Sequence, residues 1–155
     1  MPNHWILGSA IGVWVDKQDH IWIIHRGAST LDANENALGG RLSKNCCAAA
    51  PPVLEFDQEG NLVQSWGGPG QGYEWPDSNH GIFIDYKGNV WIGGNGGPDS
   101  HILKFTKDGK FLMQVGKKGA RRKEGASAGN QEGQVAGFLG GSNDQVSFGR
   151  VAKIF

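Results

Sequence analysis

The side chains able to do chemistry are few and scattered. Histidines stand at positions 4, 20, 25, 80 and 101, and the two cysteines, Cys46 and Cys47, are adjacent. There is no H-E-x-x-H pair, no C-x-x-C with a partner pair and no G-x-S-x-G, so neither a compact metal motif nor a nucleophile elbow is present. Gly67-Gly-Pro-Gly-Gln-Gly72 is rich in glycine but lacks the Lys-Ser/Thr of a phosphate-binding loop, and no helical pattern follows it. Adjacent cysteines cannot staple distant parts of a fold, and three fates stay open: a vicinal disulfide, a share in a metal site, or free thiols. Two positions offer more. Asn79-His80-Gly81 stands immediately before a strand-like run, where His80 either caps a strand end or ligates a metal with partners from elsewhere in the fold. His25-Arg26-Gly27 closes another such run, where Arg26 either forms a salt bridge or fixes an anion or developing oxyanion.

Composition says what kind of scaffold must hold them. The chain has 155 residues, so one domain is expected. Glycine contributes 26 of them, about 17% against a usual ~7%. Only 6 prolines accompany it and no G-x-y period exists, which excludes collagen and Pro-rich linkers. Six tryptophans and an aromatic content of 10% argue against disorder, because such a chain has large apolar groups to bury. Fifteen basic residues balance fifteen acidic ones, giving no general reason to expect nucleic acid or an acidic lipid surface as partner. No window approaches the ~18 apolar residues of a membrane span. Met1-Pro-Asn-His-Trp5 lacks the basic start and apolar stretch of a signal peptide.

Internal repetition organises the rest. Gly12 to Gly27 aligns without a gap on Gly81 to Gly96, an offset of 69, and each segment reads as strand, turn, strand. Val53 to Gly67 aligns on Ile102 to Gly116, an offset of 49, with Glu-Gly-Asn and Asp-Gly-Lys as hairpin turn signals. The Ile/Val/Trp runs at 21–24 and 90–92 suggest strands buried on both faces. Four hairpins give two four-stranded units, about 10–67 and about 80–116, the first carrying a longer loop at 28–51 with both cysteines. Residues 117–141 hold Lys117, Lys118, Arg121, Arg122 and Lys123 among Gly, Ser and Asn, and read as a flexible loop with a phosphate-binding patch as the alternative. Pattern returns at 148–155, where Ile154 and Phe155 match Ile82 and Phe83.

Four-stranded units repeating at ~40–50 residues are the sequence sign of a β-propeller. The run Ile82-Phe-Ile-Asp-Tyr-Lys-Gly-Asn-Val-Trp-Ile92 resembles the NHL-type repeat. The expected fold is therefore all-β: a single partial propeller over 1–155, with about two blades plus the first strand of a third. Two blades cannot close a ring and leave apolar faces uncovered. The expected partners are the remaining blades of a longer protein, or further copies of this chain.

A more specific resemblance follows. Leu7 to Asp16, Ile24-His-Arg-Gly27, His80 to Asp85, Gly88-Asn-Val-Trp91 and His101-Ile-Leu-Lys-Phe105 resemble the peptidyl-α-hydroxyglycine α-amidating lyases in order and spacing. That family is a six-bladed, NHL-like propeller. It splits the N–Cα bond of a C-terminal α-hydroxyglycine with a zinc held by three histidines. An arginine and a tyrosine stand at its site, and a structural calcium is held largely by backbone carbonyls. The resemblance implies that His80 is a zinc ligand and Arg26 the active-site arginine, and that Val13 and Ile82 lend carbonyls to calcium. His101 matches a family histidine without an assigned role. It implies a peptide substrate and hints at export. It also puts the other two zinc histidines, the tyrosine and the calcium aspartate beyond Phe155, so this chain alone is expected to be inactive. The alternative is a non-catalytic NHL propeller that displays loops for protein or ligand binding.

Overall fold

The computed structural model describes residues 1–31, 47–119, 151 and 154. The fold of these residues is all-β, built on two antiparallel four-stranded sheets. A first sheet is built from β2 (Ala10–Val15), β3 (Ile21–His25), β5 (Val53–Phe56) and β6 (Leu62–Trp66), in that order. A second is built from β7 (Asn79–Ile84), β8 (Val90–Gly94), β9 (His101–Phe105) and β10 (Phe111–Gly116), likewise in chain order. A short parallel pair, β1 (Trp5–Ile6) on β4 (Ala48–Ala49), and a single helical turn, α1 (Gly27–Thr30), lie in and beside the long connection after β3. No helix among the described residues is long and apolar enough to cross a membrane.

The four hairpins share one turn design. Residues 16, 57, 85 and 106 each accept, at the backbone carbonyl, the N–H of the residue three positions on, at 2.8–3.1 Å. Each also donates its own N–H to the carbonyl four positions on, at 2.9–3.0 Å. The fourth residue needs a positive φ, which Gly60, Gly88 and Gly109 supply at +80° to +84°. In the first hairpin Asp19 does so at 59°, one of the few non-glycine types that tolerate it.

An aspartate clasps three of these turns, and in two of them it also holds a tryptophan. Asp85 accepts the N–H groups of Lys87 and Asn89, each at 2.9 Å, and the Trp91 indole N–H at 3.0 Å. Asp16 does the same with Gln18, His20 and the Trp22 indole. This is the physical content of the D-x-x-G-N-φ-W pattern: one carboxylate consumes two turn donors and anchors the tryptophan of the next strand. Burial alone would raise both carboxyl groups. The donors, led by the tryptophan indoles, outweigh it, taking Asp16 down to about 2 and Asp85 well below the usual carboxylate range.

The sheets pack face to face around one core. Trp22, Ile24 and Val53 of the first meet Ile82, Ile84, Val90, Ile92, Leu103 and Phe105 of the second, all less than 9% exposed. Tyr73, Trp75 and Phe111 close one end against Phe105, the ring centroids standing 5.1, 6.1 and 5.8 Å from it. The approach is tight at Gly12, where a Cβ would sit 2.7 Å from the His80 carbonyl and 3.2 Å from Ile82. The runs at 21–24 and 90–92 are not buried on both faces as expected. Ile21 is 38% exposed and Ile23 and Trp91 are half-buried, because among the described residues the two sheets meet through one face of each.

A lysine crosses between the sheets. Lys107, in the β9–β10 turn, places Nζ 3.1 Å from Asp16 Oδ2 and 2.8 Å from Glu55 Oε1, and lies 5.7 Å from the Trp22 ring centre. Its carbonyl accepts from Gln64 Nε2 at 3.0 Å and from the Trp66 indole at 3.1 Å. Burial would lower the Lys107 ammonium; bonding to Glu55 and Asp16 overrides this and raises it.

Two predictions follow from this packing. Asp16 titrates at about 2 in the folded chain against an ordinary 3.8, so its contribution is complete above the unfolded value and disappears as pH falls through the folded one. Denaturant unfolding between pH 6 and pH 2 is expected to lose about 2–2.5 kcal/mol from this group, and Asp16→Asn to remove that part of the pH dependence. Lys107→Met leaves the buried Glu55 to His20 and Gln64 and is expected to cost about 1–3 kcal/mol, read as a fall in Tm.

Candidate functional site

Arg26 and the Asn79-His80-Gly81 segment come together at the end of the sheets remote from Asp16 and Lys107. The reason is local. β2 and β3 pair from Val15–Ile21 to Ala10–His25, so the end of β3 lies at the start of β2, beside the start of β7. Asn79, His80 and Gly81 are the first three residues of β7 rather than the residues ahead of it. The β8–β9 connection arches over the same end, because Asn79 pairs with Gly94.

Arg26 is half-buried and, among the described residues, its side chain bonds to neutral acceptors. Its Nε donates to the Asn79 carbonyl at 3.3 Å and its Nη2 to Asn95 Oδ1 at 2.8 Å. Asn95 Oδ1 also accepts from Ser78 Oγ at 2.9 Å, and Asn79 Nδ2 donates to the His25 carbonyl at 2.9 Å. No carboxylate among the described residues forms an ion pair with Arg26. The guanidinium is thus oriented by neutral acceptors, with no ion pair to it among the described residues. Beneath it, the fully buried Asp99 accepts the N–H groups of Asp77, Ser78 and Gly96 at 2.9, 3.0 and 2.7 Å. That carboxylate shapes the loop that presents Ser78 and Asn95.

The histidines divide. His80 is half-buried on β7, one residue past the carbonyl that Arg26 grips. His25 is fully buried. Its Nδ1 accepts the Gly8 N–H at 3.2 Å and its Nε2 donates to the Pro51 carbonyl at 2.9 Å. Burial depresses its pKa, with the Pro51 bond opposing, which favours a neutral ring that ties the chain before β2 to the chain before β5. His101 is buried on β9. Its Nε2 donates to the Glu74 carbonyl at 2.5 Å, and its Nδ1 has no hydrogen-bond partner among the described residues. His20 stands at the opposite end, 2.6 Å from Glu55.

Against a zinc site, the fit is partial. His80 supplies one ligand where catalytic zinc takes about three from protein. The group of metal-capable side chains that the described residues do assemble is Asp16, His20 and Glu55, at the other end of the strands, and Lys107 already lies on both carboxylates. Val13 sits mid-β2 opposite Ile23, with its side chain 61% exposed, and Ile82 mid-β7 opposite Ile92. Their two carbonyls fall short of the roughly six to eight oxygens that calcium takes.

Among the remaining sequence expectations, Cys47 is disulfide-bonded, which excludes a free thiol there; Cys46 lies outside the described residues. Of the basic stretch 117–141, Lys118 is an internal tie rather than part of a phosphate patch, donating to the Trp75 carbonyl at 2.9 Å and to Asp77 at 2.5 Å. Residues 120–141 lie outside the described residues. Of 148–155, Val151 and Ile154 are described. Sequence reading missed Ser78, Asn95 and Asp99. The offset of 69 that maps Gly12 on Gly81 also maps Arg26 on Asn95, and was the available signal. No family model matches the chain, and no curated protein matches it.

Arg26→Ala removes two donors and strands the Asn79 carbonyl and the Asn95 amide oxygen. A loss of about 1–2 kcal/mol is expected in chemical denaturation. Arg26→Lys is expected to recover less than half of it, since an ammonium cannot span both acceptors in one plane.

Proposed function

We propose that the chain is a two-sheet portion of an NHL-type β-propeller and that its Arg26 end binds a carboxylate-bearing ligand without catalysing a reaction. The propeller reading is supported by two four-stranded meanders stacked face to face, with their first strands, β2 and β7, side by side. The observation that carries the ligand reading is the guanidinium of Arg26, held in place by the Asn79 carbonyl and the Asn95 amide with no acidic partner among the described residues. A fixed, half-buried cation of this kind recognises a planar anion through its remaining N–H groups. The lyase resemblance supports the same ligand class, a peptide ending in a carboxylate. The catalytic version of the reading is favoured by one observation, that Arg26 and His80 share this end. It needs further metal ligands that the described residues do not provide there.

The probes are an acetylated dipeptide with a free C-terminal glycine carboxylate and the same peptide as its amide. Calorimetric titration is expected to show binding of the acid alone, lost in Arg26→Ala and retained in weaker form in Arg26→Lys. Equal binding of acid and amide overturns the proposal. Stoichiometric zinc that disappears in His80→Ala, together with cleavage of a peptidyl-α-hydroxyglycine, replaces it with the lyase.

A further inference from the structure

Arg26 and Asn95 hold the same place in the repeat. The offset of 69 maps one onto the other, and each is the first residue after the second strand of its sheet, β3 ending at His25 and β8 at Gly94. Stacking of the sheets brings the two side chains together, Arg26 Nη2 standing 2.8 Å from Asn95 Oδ1. That contact decides which way the amide faces. A guanidinium carries donors only, so it meets the oxygen end of Asn95 and not the nitrogen end. Ser78 fixes the same end, its hydroxyl donating to Oδ1 at 2.9 Å. The backbone is held as well. The Asn95 N–H donates to the Ser78 carbonyl at 2.9 Å, and the buried Asp99 carboxylate accepts the N–H groups of Ser78 and Gly96.

Oδ1 of Asn95 is thus engaged twice, while its Nδ2 donates to no acceptor among the described residues. Nor is Nδ2 enclosed. Among the described residues the one buried side-chain polar atom without a partner is His101 Nδ1, and Asn95 is half-buried. Arg26 likewise keeps N–H groups beyond the two that Asn79 and Asn95 accept. An aspartate at 95 would accept from Arg26 and Ser78 equally well. The asparagine makes the same bonds and adds two donors beside the guanidinium in place of a negative charge.

We infer that Asn95 is a second ligand contact, its Nδ2 donating to the carbonyl oxygen of the last peptide bond when a terminal carboxylate lies on Arg26. The inference rests on the carboxylate reading of Arg26 and narrows it from carboxylates in general to a peptide C-terminus. Such an end carries both acceptors that the pair can serve: a charged planar group for the guanidinium and, one residue back, a neutral oxygen for the amide. An aliphatic carboxylate fills Arg26 and leaves the amide nitrogen to water.

Levulinate and pentanoate differ by one carbonyl oxygen, which in levulinate stands where the last peptide carbonyl stands relative to a terminal carboxylate. Chemical-shift titration of the full chain with each tests the inference. Wild type is expected to bind levulinate about three- to tenfold more tightly, as one neutral hydrogen bond provides. Asn95→Ala is expected to equalise the two. Any loosening of Arg26 in that variant weakens both ligands, so the ratio isolates the amide. Ser78→Ala keeps the Arg26–Asn95 bond and is expected to narrow the ratio without abolishing it, whereas Arg26→Ala is expected to abolish both affinities. A ratio unchanged in Asn95→Ala, or in Ser78→Ala should the first variant not fold, overturns the inference. So does wild type that binds the two equally. In both cases binding that still requires Arg26 leaves the carboxylate reading standing. Wild type that binds neither overturns that reading and the inference with it.

Discussion

Asp16 and Glu55 are two carboxylates, 8% and 1% exposed, set in the seam between the sheets, and the arrangement around them depends on one cation arriving from the opposite side. Uncompensated charges there would cost several kcal/mol. Lys107 meets both, and its carbonyl simultaneously receives Gln64 and Trp66. For Lys107 to reach, the β9–β10 turn must overhang the first sheet, and that requires Gly109, whose Cβ would strike Trp66 at 2.7 Å. The apolar core supplies most of the attraction between the sheets, but it is non-directional. The lysine adds direction at this end of the seam, as the Arg26 and Asn79 bonds do at the far end.

The fold was legible because its signals are local. Asp85-Tyr-Lys-Gly88-Asn89 announces a turn through glycine chemistry and a carboxylate that can reach its own backbone, and the structure spends those residues on that turn. Strand pairing within each sheet followed from hairpins in chain order. What escaped was one-sidedness. Ile21 and Ile23 look fully core-like by composition, and their exposure depends on which sheet face has a neighbour among the described residues, which no residue type encodes. Asp19 shows the reverse limit: the hairpin expected from the repeat forms there without a glycine in the left-handed position.

The candidate site was legible in its two named members and opaque in its framework. Arg26 and His80 stand out by type. Asn95, Ser78 and Asp99 do not, because neutral amides and a glycine-flanked aspartate occur in every loop, and their value comes from a meeting of chain segments 69 residues apart. Asp99, fully buried, orders three N–H groups of the chain. It is therefore a framework residue that would look dispensable in a list of chemically able side chains.

The small parallel pair of Trp5–Ile6 with Ala48–Ala49 brings a last consequence. It fastens the chain entering β2 to the chain entering β5, and His25 rivets both, through Gly8 and Pro51. The excursion between β3 and β5 is thereby gripped at its two roots. A gripped root decouples what is inserted from what it is inserted into, because lengthening a closed loop costs entropy only logarithmically. Chain inserted between the two roots leaves these ties in place, so its cost is set by the length of the closed loop and not by the pairing of β3 with β5.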